Sequence, residues 1–107
     1  MPWTDEQVKK VWDKASFVDA ENEKKGFRKD QCTAWIRFNE YGKRDSKYGW
    51  EIDHITPISK KGGDEIINLR PLHWKNNASR QDDRLSKDVY SQGTKNIDKS
   101  TGKELVI

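Results

Sequence analysis

A chain of 107 residues with one cysteine and five tryptophans has the length of one domain, and we expect a single domain over residues 1–107. The composition is 36% charged and 32% hydrophobic with a mean hydropathy of −1.15, which is typical of a loosely packed or partly disordered protein, but the tryptophans argue against a wholly disordered chain. No stretch approaches the roughly 18 apolar residues that a membrane span needs. Cys32 has no partner for an intramolecular disulfide and the N-terminal stretch lacks the apolar region of a signal peptide, so we expect a cytoplasmic protein.

The net charge of +3 is unevenly distributed along the chain. Residues 1–23 carry three Lys against six acids, whereas residues 24–47 carry eight Lys or Arg against three acids. Residues 48–74 are slightly acidic, and residues 75–107 are again basic. Two interpretations remain open, which are a polyanion held by the basic flanks around a central cation site, and an ordinary solvated surface rich in lysine.

The first element predicted is a helix over residues 5–22. Thr4 is a candidate N-cap, and Gln7 lies three residues later, as in a capping box. Apolar residues then follow at helical spacing, namely Val8, Val11, Trp12 and Ala15. We expect this helix to cover one face of the central part of the chain.

Residues 24–47 are predicted to be a loop followed by a strand. Gly26 and a run of positive charge favour a loop over residues 24–30, and the alternation of Cys32, Ala34, Ile36 and Phe38 favours a strand. The aromatic residues in this region either contribute to a nucleic-acid surface together with the cations around them, or belong to the core. Cys32 has no neighbouring base, which favours a buried structural thiol over a nucleophile.

The central stretch, residues 50–84, is predicted to form strand, loop, strand and helix. Residues 50–55 alternate as a strand with Ile52 and His54 on one face and Asp53 on the other, and Thr56-Pro57 ends the strand. A loop with Gly62-Gly63 follows, then a strand over residues 66–72 and a helical composition in residues 74–84. This topology brings residues 53 and 54 toward residue 77.

The letters of this stretch resemble the HNH nucleases of the ββα-metal fold. The matching letters are D-H-I-x-P at residues 53–57, K-G-G and N-L-x-P-L within residues 61–72, and an Asn nine residues after Asn68. The resemblance implies that His54 is the general base, that Asp53 and Asn77 are metal ligands, and that Asn68 fixes the loop and the geometry of the base. The chain would be an H-N-N variant, because Asn77 stands where the family carries its final His.

The residue types suit the chemistry that the resemblance implies. Imidazole, with a reference pKa of about 6.5, is a suitable base for deprotonating water near neutral pH. A carboxylate and an amide oxygen are hard ligands, which favour Mg²⁺ or Mn²⁺ as the cofactor. Many relatives also bind a structural zinc through two CxxC pairs, but this chain has only Cys32, so we expect no structural zinc.

Other residues around the motif have more than one interpretation. His73 is a candidate third metal ligand or phosphate contact, although we favour a packed or hydrogen-bonded structural role. Asn76 competes with Asn77 for the ligand position, and only the family spacing selects Asn77. Candidates for contacts with nucleic acid are Arg70, Lys75, Arg80, Arg37, Lys43 and Arg44.

We therefore expect a small single-domain α+β protein with a ββα-metal (HNH) core, around which an N-terminal helix and an extra short strand pack. Residues 1–49 form the helix and basic segment, residues 50–84 the motif, and residues 85–107 a polar C-terminal segment whose stretch 91–102 is mobile or loosely packed. The expected function is a metal-dependent endonuclease of duplex DNA with little sequence preference, which leaves 5′-phosphate and 3′-hydroxyl ends. The alternatives are a DNA-binding module that does not cleave, and a nuclease toxin or mobile-element component that needs a partner.

Overall fold

The computed structural model describes residues 3–81 and 84–107, and the α+β fold class is confirmed. Small antiparallel sheets are combined with three short α-helices in this part of the chain. No helix within the described ranges is long and apolar enough to cross a membrane. The helices and strands, in chain order, are α1 (Asp5–Trp12), α2 (Ala20–Lys24), β1 (Phe27–Lys29), β2 (Trp35–Arg37), β3 (Trp50–His54), β4 (Leu69–His73), α3 (Trp74–Ala78), β5 (Val89–Gln92), β6 (Lys95–Asp98) and β7 (Lys103–Glu104).

The centre of the fold is the hairpin of β3 and β4, which leads directly into α3. The strands are antiparallel, with Trp50 opposite His73 and His54 opposite Leu69, so the predicted ββα topology is confirmed. The second strand begins at Leu69 rather than at residue 66, because residues 66–68 form a 3₁₀ turn. Helix α3 ends at Ala78, earlier than predicted, and residues 82 and 83 of the predicted helix lie outside the described residues.

The N-terminal helix begins as predicted but ends ten residues early. The capping box is present, since Thr4 Oγ1 accepts from the Gln7 amide at 3.1 Å and Gln7 Oε1 accepts from the Thr4 amide at 2.9 Å. The prediction of one helix to residue 22 was wrong. The backbone of Ser16 instead pairs with Lys29, and Asp19 caps the separate helix α2, because tertiary pairing here outweighs helical periodicity.

The predicted loop over residues 24–30 was also wrong, since it contains β1. This strand pairs with β2 on one side and with Ser16 on the other. The predicted strand is present as the shorter β2, in which both Trp35 and Ile36 are buried. Alternation of apolar and polar residues is weak in such a strand, because it is covered on both faces.

The C-terminal segment was predicted to be mobile or loosely packed over residues 91–102, and this prediction was wrong, since Asn96 and Ile97 are buried. Strands β5, β6 and β7 form an antiparallel sheet in this segment. Val89 of β5 and Leu105, which directly follows β7, pack with Ala34. Asn96 ties the sheet to β2 by accepting from the Trp35 amide at 2.7 Å and donating to the Trp35 carbonyl at 2.9 Å. A polar side chain that pairs with a distant backbone has no local signature in the sequence.

The main apolar core lies between α1 and the central hairpin. Trp50 is fully buried, with its ring 5.2 Å from Trp12 and 4.9 Å from Tyr41, measured between centroids. Leu69 and Val11 are also fully buried in this core. Each such side chain contributes roughly 1.5–3 kcal/mol on burial, so the core fixes the hairpin against α1 and holds the end of β3 in place.

Candidate functional site

Strand β3 presents the candidate residues on two opposite faces, because successive side chains of a strand alternate. Ile52 and His54 face a small cavity beneath Trp3. Asp53 and Glu51 lie on the other face, toward α3, where they meet Arg80 and Asn77 respectively. The predicted separation of His54 from Asp53 across the strand is therefore found.

His54 is oriented by a carboxylate that sequence reasoning did not single out. Its Nε2 lies 2.7 Å from Asp64 Oδ1, and its side chain retains 17% exposure. A carboxylate only accepts, so this contact places the proton on Nε2 and the lone pair on Nδ1 when the ring is neutral. Trp3 lies against the ring at 5.7 Å between centroids. A cavity of about 180 Å³ opens beside it, lined also by Ile58.

Asn68 holds the loop that carries Asp64. Its side-chain oxygen accepts from the Thr56 amide at 2.8 Å, and its amide group donates to the carbonyls of Gly63 at 2.8 Å and Thr56 at 3.2 Å. Gly62 allows the loop to close, since a Cβ atom there would lie 1.8 Å from the Thr56 carbonyl oxygen. Asn68 contacts no candidate reacting atom among the described residues, and its three side-chain hydrogen bonds fix the loop that precedes Asp64.

Asp53 is buried between two arginines. Arg70 Nε donates to one carboxylate oxygen and Arg80 Nη1 to the other, each at 2.7 Å. Arg80 also donates to the carbonyls of His54 and Ile55. The side chains of Arg70 and Arg80 are only 11% and 8% exposed. Both arginines compensate the charge of Asp53 and are mostly buried. That they contact nucleic acid stays a prediction.

Asn77 lies on the same side of the hairpin as Asp53. Its Nδ2 donates to Glu51 Oε1 at 2.8 Å, and Arg44 forms a paired contact with the same carboxylate at 2.6 and 2.8 Å. The side-chain oxygen of Asn77 points to no hydrogen-bond donor among residues 3–81 and 84–107. No hydrogen bond joins Asn77 to Asp53 within these ranges.

Asn76, the alternative candidate for the metal-ligand position of Asn77, makes all of its side-chain hydrogen bonds in the interior. Its side chain is fully buried, and it exchanges two hydrogen bonds with the backbone of Val89 and donates to Asp30 Oδ2 at 3.1 Å. Asp30 in turn accepts from the amides of Cys32, Ala34 and His73 at 2.9 Å. We name Asp30, His73 and Asn76 the Asp30 cluster.

His73 is fully buried, with both ring nitrogens engaged. Nδ1 accepts from the Lys75 amide at 3.1 Å, which leaves Nε2 to donate to the Lys47 carbonyl at 2.7 Å. Burial lowers the pKa of His73 to about 4. Neither nitrogen has a free lone pair for a metal ion in this arrangement. Burial also raises the pKa of the nearby Cys32 thiol to about 11, which suppresses the nucleophilic thiolate.

The remaining predicted nucleic-acid contacts lie on the surface in different settings. Lys43 pairs with Glu40 at 3.3 Å. Arg37 donates to the Lys25 carbonyl at 3.0 Å and lies over the Phe27 ring, and the Lys75 ammonium lies 5.4 Å from the centroid of the Trp74 ring.

Four site residues were missed by sequence reasoning, and each had a signal too weak to use. Asp64 follows the Gly62-Gly63 pair, but an acid after a turn is ordinary. Glu51 and Trp3 gain their roles only through packing. Lys14, whose ammonium donates to the carbonyls of Ile66 and Leu69, lies beyond the end of α1.

The side-chain oxygens of Asp53 and Asn77 are the kind of ligand atom that a hard divalent ion prefers. Each oxygen of Asp53 accepts one hydrogen bond, so the carboxylate retains about half of its lone-pair capacity, and the Asn77 oxygen is available. The adjacent guanidinium groups oppose a further cation electrostatically. In the described ranges no three His, Cys, Asp or Glu side chains converge as in a complete metal site, so such an ion would need ligands from solvent or substrate.

Comparisons with known proteins give one match. Residues 39–82 match the family model described as HNH endonuclease. This segment contains β3, β4, α3 and the loop with Asp64. No curated protein and no solved structure matches the chain significantly.

Proposed function

We propose, on the premise that residues 39–82 form an HNH endonuclease domain, that this chain is a metal-dependent endonuclease that hydrolyses phosphodiester bonds in DNA. An HNH domain implies a nuclease and a nucleic acid as its substrate in general. The observation that carries the finer proposal is His54, whose ring is held by Asp64 at 2.7 Å beside an open cavity at the end of β3. The proposed substrate is duplex DNA, cut or nicked with little sequence preference.

The general base in this proposal is His54. The contact between Nε2 and Asp64 leaves the lone pair on Nδ1, and this nitrogen accepts the proton of the attacking water. Asp64 stabilises the imidazolium that forms, since its carboxylate lies against the protonated ring. Trp3 limits rotation of the ring and keeps solvent from one of its faces.

The HNH family usually uses a divalent metal ion, and we propose that Asp53 and Asn77 hold Mg²⁺ or Mn²⁺ here. When bound, the ion supplies positive charge that stabilises the phosphate and the leaving oxygen. Arg70 and Arg80 each pair with one oxygen of Asp53 and so fix the orientation of its carboxylate. They also weaken a cation at this position, so we expect low metal affinity until a phosphate of the substrate adds its negative charge.

The test is nicking of supercoiled plasmid by the purified chain with Mg²⁺ or Mn²⁺, compared with His54→Ala and with the surface variant Gln92→Ala. Loss of the base is expected to reduce the rate by about 10²–10⁴-fold, while Gln92→Ala cuts normally. Equal nicking by all three proteins would indicate a contaminating nuclease and remove the basis of the proposal. Direct sealing of the nick by a DNA ligase tests the 5′-phosphate and 3′-hydroxyl ends.

A non-cleaving nucleic-acid-binding module is the second candidate, and one observation favours it. Both oxygens of Asp53 accept from guanidinium groups, which is also how a purely structural carboxylate would be satisfied. Titration with Mn²⁺ in the presence of a short duplex, in a His54→Ala background that does not cut it, distinguishes the two candidates. The nuclease proposal expects binding that weakens in Asp53→Asn, whereas the module expects no binding that depends on Asp53.

A further inference from the structure

A second pocket lies one residue beyond the proposed base, on the side of the hairpin that faces the end of α1. It has a volume of about 170 Å³ and is lined by Lys14, Ser16, Gln31, Ile55 and Arg70, among others. Ile55 follows His54 directly in the chain, and Arg70 holds Asp53. The pocket therefore adjoins the site already described and shares Arg70 with it.

The positive side chains of Lys14 and Arg70 both line this pocket, and Lys14 has no acid to pair with among the described residues. The Lys14 ammonium donates to the carbonyls of Ile66 and Leu69, and no carboxylate lies within ion-pair distance of it among residues 3–81 and 84–107. Burial, and next the charge of Arg70, lower the pKa of Lys14. Arg70 must share its single acid, Asp53, with Arg80. Positive charge thus exceeds negative charge on this wall of the pocket.

Hydrogen-bond donors remain free at the same place. Arg70 uses Nε for Asp53 and Nη1 for Gln31 Oε1 at 3.1 Å, which leaves Nη2 without an acceptor among the described residues. The amide group of Gln31 and the hydroxyl of Ser16 are likewise free of partners there. The backbone of Ser16 is fixed by its two hydrogen bonds with Lys29, at 2.8 and 3.1 Å, so these donors surround a pocket of defined shape.

Asp30, the one carboxylate among the described residues that line the pocket, does not neutralise these cations. Asp30 is 3% exposed, and its oxygens point toward the amides of Cys32, Ala34 and His73 and the side chain of Asn76. Its charge is directed into the interior. The accessible part of the pocket therefore presents donors and positive charge, which is the chemistry that binds a phosphate.

We propose that this pocket, formed by Lys14, Ser16, Gln31 and Arg70, binds a backbone phosphate of the nucleic-acid strand next to the phosphate that is cleaved. The inference rests on the proposed function, because it assumes that the strand passes the end of β3. A phosphate bound there would supply the negatively charged partner that Lys14 lacks among the described residues. It would also fix the strand relative to His54 without reading its sequence.

The test uses the full chain with His54→Ala, so that no substrate is cut, and measures anisotropy of a short fluorescein-labelled duplex in EDTA over a series of NaCl concentrations. Gln31→Glu is the main variant, because Glu keeps the acceptor for Arg70 and places a negative charge in the pocket. Lys14→Gln is the second variant. Gln92→Glu, an exposed site on β5, is the matched control for the change in total charge.

Gln31→Glu and Lys14→Gln are each expected to weaken duplex binding about tenfold at low salt. Each is also expected to reduce the slope of log affinity against log salt by about 1, which corresponds to the loss of one phosphate contact. Gln92→Glu is expected to leave that slope unchanged. If the slope for Gln31→Glu equals that of Gln92→Glu, the pocket does not bind a backbone phosphate. Circular dichroism confirms that each variant is folded.

A free phosphate ion has the same chemistry as a backbone phosphate and is the other ligand that this pocket could bind. Titration with sodium phosphate at constant ionic strength distinguishes a site for free phosphate from a site for the nucleic-acid backbone. The proposal would be overturned if free phosphate binds the parent protein but not Gln31→Glu, while the two proteins bind the duplex with equal affinity. The outcome is independent of cleavage. A protein that fails to nick plasmid and still shows the expected change in salt slope refutes the nuclease function and leaves the pocket standing.

Discussion

Asp30 and Asp53 are both buried, with 3% and 6% exposure, yet their charges are compensated in opposite ways. Asp30 accepts only from neutral donors, namely three backbone amides and the side chain of Asn76. Asp53 accepts from two guanidinium groups. The first carboxylate joins the loop before β2 to β4 and α3, whereas the second lies beside the proposed base at the end of β3.

Asp30 is held by neutral internal donors, as expected for a structural acid, whereas Asp53 is the acid that we propose for chemistry. Burial raises the pKa of Asp30, and the hydrogen bonds from His73, Asn76, Ala34 and Cys32 act in the opposite direction without preventing the rise. All four of its contacts are short and internal. Asp53, in contrast, is compensated by the positive charges of Arg70 and Arg80.

The largest effect expected is on activity, when each carboxylate is replaced by its amide. Asp53→Asn is expected to lower the nicking rate roughly a thousandfold, because the ion that stabilises the phosphate loses its charged ligand. Asp30→Asn is expected to keep most of the activity at a temperature where it is folded. The rates are compared on supercoiled plasmid, with folding checked by circular dichroism. Similar losses in both variants would show that the two acids do not differ in role.

The next effect is on stability, when one arginine of the buried group is removed. Arg80→Met is expected to lower the free energy of unfolding by about 3–5 kcal/mol, because Asp53 loses one compensating charge and two carbonyls lose a donor. Arg44→Met is the matched control, since the Arg44 side chain is 55% exposed and its pair with Glu51 is expected to contribute less than about 1 kcal/mol. Urea unfolding measures both. A cost for Arg80→Met no larger than that of Arg44→Met would contradict the description of Asp53.

The smallest effect is a pH dependence that arises from the Asp30 cluster. The pKa of His73 falls from 6.5 to about 4 on burial, so between these pH values the unfolded chain binds a proton that the folded chain does not. Stability is therefore expected to fall as the pH drops from 6.5 toward 4, by up to about 1.4 kcal/mol per pH unit. The raised pKa of Asp30 contributes to stability with the opposite sign, because the folded chain protonates this carboxylate at a higher pH than the unfolded chain does.

Urea unfolding between pH 7 and pH 4 measures this dependence in the parent chain and in two variants. His73→Gln is expected to flatten the loss of stability toward acid pH, because the residue no longer titrates. Asp30→Asn is expected to steepen it, because the opposing contribution is removed. An unchanged pH profile in His73→Gln would mean that another group governs the acid side.

The sequence predicted the part of the fold whose signals are local. Thr4 and Gln7 identified the start of α1, and the alternation of Trp50, Ile52 and His54 identified β3. The letters around Asp53, His54 and Asn68 led to the family that the match over residues 39–82 supports. The assigned roles of Asp53, His54 and Asn77 remain predictions, which the variants above test.

The errors have a common physical cause, which is pairing with residues distant in the chain. The early end of α1 follows from the pairing of Ser16 with Lys29, and β1 gains its hydrogen bonds from β2 and Ser16. The C-terminal sheet has little apolar surface of its own, and Asn96 anchors it to Trp35. None of these contacts leaves a periodic pattern in the sequence.

The sequence by itself determined the ββα topology and the candidate residues, because hydrophobic alternation, turn residues and motif spacing are properties of neighbouring positions. Only the tertiary structure decided the partner of each candidate, because hydrogen bonds and charge compensation depend on what the fold brings together. Asp64 orients His54, two arginines enclose Asp53, and Asp30 holds His73 in the interior. These contacts join residues between 10 and 43 positions apart, and they distinguish the acid that we propose for chemistry from the acid that serves the fold.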